Sequence, residues 1–145
     1  MKPNRSIPDS GVIPELAYRD VAAAVRWLSH AFGFHERLRI GDHRAQLLIS
    51  LDPGGGAVVV MDRSHETDAD MPPSGHGILV RVRDVDAHFA TASAAGAEIE
   101  ASPQTHPFGE RQYSARDLDG HRWTFSQTVA DVDPATWGGT LKVPR

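Results

Sequence analysis

Apolar residues along this chain change their spacing several times, and each change marks an element. Between Asp20 and Gly33 they recur at Val21, Ala24, Val25, Leu28, Ala31 and Phe32, the spacing that lines one face of an α-helix. Asp20 stands where an N-cap carboxylate meets the free backbone N–H groups of a first turn, and Gly33 where a left-handed stop is needed. On either side the pattern is that of strands: Val12 to Arg19, then Phe34 to Ile40, Arg44 to Leu51 and Ala57 to Asp62. Gly-Asp and Pro-Gly-Gly-Gly pieces between them read as turns, and Pro14 gives the first strand an edge or bulge character.

After a polar, acidic stretch ending in Pro72-Pro73 the pattern restarts. Gly77 to Val82 reads as a strand with Ile78, Val80 and Val82 on one face. Asp84 caps a second helix that turns Val85, Phe89 and Ala92 inward and ends at Gly96. Glu98 to Gln104 is a strand, and a hairpin follows: Arg111 to Asp117, the turn Asp117-Leu118-Asp119-Gly120, and a strand through Trp123-Thr124-Phe125. An Asp-Gly pair between alternating residues is a strong hairpin signal. Successive side chains on a strand point opposite ways. The alternation therefore puts Tyr113, Ala115, Trp123 and Phe125 on a core face, and Gln112, Ser114, Arg116, Arg122, Thr124 and Ser126 on a wet one. Arg19-Asp20-Val21 recurs as Arg83-Asp84-Val85, 64 residues on, each time between a strand and a helix that stops at glycine. The chain is thus two βαβββ units, each too small to bury a core alone, which predicts that they pack together.

Composition narrows the classes of function. A chain of 145 residues makes one domain or two small repeats with a shared core. A net charge of -4, without clustered Lys and Arg, argues against nucleic acid as a partner. Cysteine is absent, which excludes disulfides, thiolate metal sites and a cysteine nucleophile. The polar, proline-punctuated start lacks the apolar core of a signal peptide, and no apolar run approaches the ~20 residues of a bilayer span. The expectation is a cytoplasmic protein that does not engage a membrane. Gly54-Gly55-Gly56 lacks the ending of a phosphate loop and lies between strands, and no serine stands in a Gly-x-Ser-x-Gly elbow.

The order βαβββ-βαβββ, the opening IPELAYRDVAAAVRWLSHAFGF and the closing FGERQYSARDLDGHRWTF resemble the vicinal oxygen chelate superfamily. That group includes glyoxalase I, bleomycin-resistance proteins, fosfomycin-resistance enzymes and extradiol dioxygenases. The resemblance implies an α+β fold in which two βαβββ repeats form one eight-stranded, cup-shaped mixed sheet with helices outside. The implied layout is a tail over residues 1–10 and a single domain over 11–127. Within that domain, repeat one is 11–62, the linker 63–74 and repeat two 75–127. A tail over 128–145 carries a short helical turn, signalled by Asp133-Pro134 ahead of Trp137. Leu118 replaces the proline usual in relatives at that turn, a difference that costs about 0.4–1 kcal/mol.

Catalytic members of that superfamily hold a divalent metal with His, Gln or Glu from four strands. Counting from the capping aspartates and the Asp-Gly turn, the equivalent positions here are Ile13, Gly77 and Thr124, with the fourth inside Ala57–Met61. Aliphatic side chains and glycine do not ligate a cation, and a lone threonine does so poorly. The resemblance therefore implies a metal-free relative that needs no cofactor. His76, one residue before the expected ligand, is the candidate for a relocated metal site, although a one-residue offset turns a strand side chain to the opposite face. Neither His35-Glu36 nor His65-Glu66 is followed by the histidine of a zinc-protease helix, and His121 reads as a surface residue of the hairpin.

Strand parity supplies the ligand-binding candidates. If Ile13 and Gly77 face the cup, so do Glu15, Leu79 and Arg81. Glu15 is suited to act as a base or to anchor a cation, and Arg81 to hold an anion, unless the two simply pair. Phe108 is placed to stack on a flat ligand, and Gln112, Ser114 and Thr124 give the cup a polar wall. The expected function is that of a metal-free small-molecule-binding protein like the bleomycin-resistance proteins, a homodimer by family habit, sequestering a partly aromatic ligand in the sheet cavity. The alternatives are a glyoxalase-, isomerase- or dioxygenase-type enzyme, using Glu15 as its catalytic group or a divalent metal relocated to His76, and a domain whose cavity is vestigial.

Overall fold

A computed structural model describes residues 2–63 and 75–142 of the chain. Apart from Arg63, the expected linker lies outside the described residues. The first repeat runs β1 (Glu15–Tyr18), α1 (Val21–Phe32), β2 (His35–Ile40), β3 (Arg44–Leu48) and β4 (Ala57–Asp62). The second runs β5 (Ile78–Arg81), α2 (Val85–Ala94), β6 (Glu98–Thr105), β7 (Glu110–Arg116) and β8 (Arg122–Thr128). The expected α+β fold of eight strands and two helices is present, its strands divided between two four-stranded mixed sheets of identical plan, β1-β4-β3-β2 and β5-β8-β7-β6. In each sheet the first strand runs parallel to the last and the others are antiparallel.

The helices begin where their caps dictate. Asp20 accepts from the backbone N–H of Ala23 at 3.0 Å, and Asp84 from that of Ala87 at 3.1 Å. Each bond satisfies an orphan donor of the first turn. Gly33, at φ 76°, ends α1 in the left-handed region, whereas α2 stops one residue ahead of Gly96, on Ala95. Strand ends differ from the sequence reading at solvent-facing residues: Val12 and Leu51 are exposed and lie outside β1 and β3. β1 is effectively lengthened by one bond, since Val59 donates to the carbonyl of Pro14 at 2.8 Å. A proline at an edge keeps its carbonyl as an acceptor even though it has no N–H.

One core joins the repeats. α1 turns Val21, Ala24, Val25, Leu28, Ala31 and Phe32 into it, from the second repeat come Tyr113, Ala115, Trp123 and Phe125, and all ten are buried. The Phe32 ring meets Trp123 at 5.7 Å and Phe125 at 4.9 Å between centroids. Edge-to-face aromatic contacts of this kind add about 0.5–1.5 kcal/mol each beyond their buried area.

The N-terminal segment, expected as a loose tail, is laid over the first sheet on the face away from α1. Gln46 donates its side-chain amide to the carbonyl of Ser6 at 2.8 Å, and Arg37 donates to the Gln46 side-chain Oε1 at 2.6 Å and to the backbone carbonyl of Arg5 at 2.9 Å. Pro8, within this strap, is buried. At the other end of the chain the 3-10 helix Pro134–Trp137 brings Trp137 to 5.6 Å from Phe108, which stacks on His106.

Candidate functional site

The repeats meet along two seams, and they are finished differently. In the first, the end of β1 meets the β7–β8 turn. Asp117 is buried there and is the common acceptor: Tyr18 donates its hydroxyl at 2.6 Å, Trp123 its indole N–H at 3.0 Å, and His121 and Asp119 their backbone N–H groups at 3.0 and 3.1 Å. Four donors on one carboxylate offset much of the cost of burying its charge. Burial pushes the Tyr18 phenol well above its ordinary range, and the neighbouring Asp117 and Asp119 carboxylates add to the effect. His121, read from sequence as a surface residue, is buried against Tyr18. Its Nε2 lies 2.7 Å from the Ala17 carbonyl, which only accepts, so Nε2 carries the proton. A turn that docks on the other repeat hides a side chain that period-two reasoning leaves in solvent.

The second seam is open. The end of α1, the β3–β4 loop and β5 enclose a cavity of about 940 Å³, within the range of roughly 300–1,000 Å³ common for ligand pockets. Its walls are Phe32, Phe34, Ile49, Val58, Ile78 and Val80, and its rim carries Val12, Leu79, Arg81, Asp52 and Arg83. Asp52 and Arg83 form an ion pair across that rim at 3.1 Å, both well exposed. His88 borders the cavity with both ring nitrogens engaged: Nε2 donates to the Phe32 carbonyl at 3.1 Å, and Nδ1 accepts from the Tyr113 hydroxyl at 2.5 Å. Burial lowers the His88 pKa below its ordinary 6.5, against the opposing pull of the Phe32 carbonyl, and burial raises that of Tyr113. The imidazole is therefore neutral at pH 7 and ties α2 to the end of α1.

Five of the seven ligand-binding residues singled out from sequence share one face of the second sheet, since Leu79 pairs with Thr124 and Thr124 with Ser114, and Arg81 pairs with Ser126 and Ser126 with Gln112. Glu15 and Phe108 lie elsewhere. Leu79 and Arg81 lie at the cavity rim. Glu15 faces away from α1 and is paired with Arg44 at 2.5 Å, while Arg81 bonds the Thr128 hydroxyl at 3.0 Å, so the two charges do not pair with each other. Gln112, Ser114 and Thr124 lie together on the open face of the second sheet. Ser114 and Thr124 share a hydrogen bond of 3.0 Å, and Gln112 donates to Ser126 at 3.0 Å, which in turn donates to Glu110 at 2.7 Å. Ser114 and Ser126 are buried although they belong to the face read as wet, because hydrogen-bonded neighbours cover them. Phe108 is apart from these, against Trp137. Phe32, Phe34, Val58 and His88 were assigned to the core or not singled out, since nothing in a local pattern separates a cavity wall from a packed core.

The metal positions implied by the resemblance do not fit a divalent cation. Val59 is the β4 residue paired with Glu15, and the Thr124 hydroxyl is committed to Ser114. Among the described residues no three His, Asp or Glu side chains converge. His76 lies beside His121, with ring centroids 6.3 Å apart. Among the described residues no helix is long and apolar enough to cross a membrane.

Two βαβββ repeats joined through one core, with a ligand-sized cavity between them, define a paired-repeat α+β protein of the glyoxalase type. The chain belongs to the Glyoxalase/Bleomycin resistance protein/Dioxygenase superfamily, whose family profile matches residues 13–125. Among solved structures it is similar to TioX from Micromonospora sp. ML1, at 38% identity and a TM-score of 0.65, over 84% of this chain and 98% of that one. It shares its fold with FosX, a genomically encoded fosfomycin resistance protein from Listeria monocytogenes, at 17% identity and a TM-score of 0.63, over 83% and 94% of the two chains. An uncharacterised protein of Mycobacterium tuberculosis H37Rv is 29% identical over 83% of this chain and 75% of its own length.

Proposed function

We propose that this protein binds a partly aromatic small molecule in the cavity between its repeats and sequesters it without a metal and without transforming it. The observation that carries this reading is the cavity itself: about 940 Å³, walled by Phe32, Phe34, Ile49, Val58, Ile78 and Val80. An apolar, aromatic wall favours a flat apolar ligand through area removed from water, at about 25 cal/mol per Å². The His88 nitrogens are spent on Phe32 and Tyr113, so this imidazole is a strut and not an acid or base aimed at a ligand. Glu15, the carboxylate an enzymatic reading would use, is held by Arg44. FosX, described as a fosfomycin resistance protein, is a precedent for this fold in antibiotic resistance, and it gives the panel to try.

The test is isothermal titration of the full chain, purified without chelator, against bleomycin-type and other aromatic antibiotics and simple aromatic compounds. Saturable one-to-one binding with recovery of unchanged ligand supports the proposal. Failure of every compound to bind overturns it. Stoichiometric Zn, Ni, Mn or Fe in the purified protein, or turnover of a bound compound, replaces it with an enzymatic function.

A further inference from the structure

The open seam has a sealed twin, and the difference between them describes the missing occupant. Ladder register aligns the repeats: Glu15 pairs with Val59 and Val59 with Gln46, as Leu79 pairs with Thr124 and Thr124 with Ser114. Carried along the strands, this equates Tyr18 with Val82, Trp123 with Val58 and His121 with Gly56. In the sealed seam Tyr18, Trp123 and His121 are rings, all buried, and they fill the space between repeats. In the open seam the same stations hold two valines and a glycine, and the space is the cavity.

The backbone turn is repeated as well, although the ladder counterpart of Asp117 itself is Ile49. Gly55 donates to the Asp52 carbonyl at 3.0 Å just as Gly120 donates to the Asp117 carbonyl at 3.0 Å, so each loop contains the same aspartate-headed tight turn. The strand-closing bond of the first loop, Ile49 to Gly56, spans three residues more than its counterpart, Asp117 to His121. Those added residues carry Asp52 outward to the cavity rim, where Oδ2 meets Arg83, the counterpart of Arg19. That ion pair is exposed, with side-chain accessibilities of 89% and 61%, so little opposes its rearrangement.

Building on the small-molecule-binding reading above, we infer that the occupant is a planar aromatic molecule bearing a phenolic hydroxyl. Its ring takes the place that Tyr18 fills in the twin, against Val82 and Val58. Its hydroxyl donates to the Asp52 carboxylate, as the Tyr18 hydroxyl donates to Asp117. Asp52 thus makes the site select for a donor, because an aromatic ether of the same shape leaves the rim carboxylate without that bond.

The experiment titrates the full chain with 2-naphthol and with 2-methoxynaphthalene, by calorimetry and by methyl NMR. The hydroxyl compound is expected to bind at least about tenfold more tightly than the ether and to shift the methyl resonances of Val58, Val80 and Val82 by ring current. Val82→Tyr, which rebuilds the sealed seam, is expected to abolish naphthol binding while retaining cooperative unfolding, and Asp52→Ala to erase the preference over the ether. The methyl shifts test the placement without any variant. Naphthol binding that leaves those methyls unmoved and survives Val82→Tyr overturns the placement while small-molecule binding stands. Equal binding of the ether overturns the role of Asp52. Naphthol failing where another compound of the antibiotic panel binds overturns the phenol assignment alone, and no binding by any compound overturns both readings.

Discussion

Asp117 illustrates how a single residue holds two repeats together. Its carboxylate accepts from Tyr18, Trp123 and two backbone N–H groups, all with little access to solvent at the Asp117 end. Asp117→Ala leaves those donors unsatisfied, and each buried orphan costs about 1–3 kcal/mol. The expected loss is about 3–5 kcal/mol in urea unfolding, and a variant within about 1 kcal/mol of wild type contradicts the role given to this carboxylate. His88 provides a second residue-scale outcome. Its folded pKa lies below the ordinary 6.5, so between those two values the unfolded chain binds a proton that the folded chain does not. Its contribution to stability is full above pH 6.5 and declines as the pH falls toward the folded value. Replacing His88 with glutamine is expected to flatten this part of the stability–pH profile, and an unchanged slope counts against the assignment. Neither role is visible locally in the sequence. Asp117 reads as a turn residue and His88 as one histidine among eight, because their partners lie 99 and 56 residues away.

The elements themselves were largely legible. α1 combines a capping aspartate, a clean 3.6-residue period and a stopping glycine, three signals that agree. The β7–β8 hairpin combines a tight Asp-Gly turn with strict alternation. Strand ends were less clear, since nothing local tells an exposed Val12 from a paired one. The N-terminal strap was not legible at all: a polar, proline-rich segment has the composition of a free tail, and only Gln46 and Arg37, two strands further on, dock it. Gln46→Leu keeps the size of the side chain and removes its bonds to Ser6 and Arg37. The variant is expected to lose about 1–2 kcal/mol and to be cut by trypsin after Arg5 several times faster, as followed by mass spectrometry. A cleavage rate equal to that of wild type excludes the strap as a docked element.

At the scale of the whole molecule, a ligand bound in the cavity as proposed would couple its binding to the association of the repeats. A ligand present at about 100 times its Kd stabilises the folded chain by about 2.7 kcal/mol, which raises Tm by roughly 5–12 °C in a chain of this size. Because the site is walled by both repeats, a single thermal transition is expected to move as one. Two transitions of which one moves would place the ligand within one repeat. The repeat was readable from Arg-Asp-Val and its surroundings, and the family from the hairpin, but the cavity was not. Its existence depends on Val82 and Val58 being small where Tyr18 and Trp123 are large, a comparison that becomes possible only after the two ladders are aligned.

The unequal seams also give the molecule a built-in fulcrum. Tyr18, Asp117, His121 and Trp123 clamp one side of the joint with bonds of 2.6–3.0 Å. The other side is spanned at its rim by an exposed ion pair beside glycines with positive φ at Gly54 and Gly56. Any parting of the repeats therefore swings about the clamped side, and its amplitude grows toward the rim. For the ligand proposed above, differences in length beyond the rim are then expected to be accommodated by a small change of angle, and differences in thickness at the floor are not.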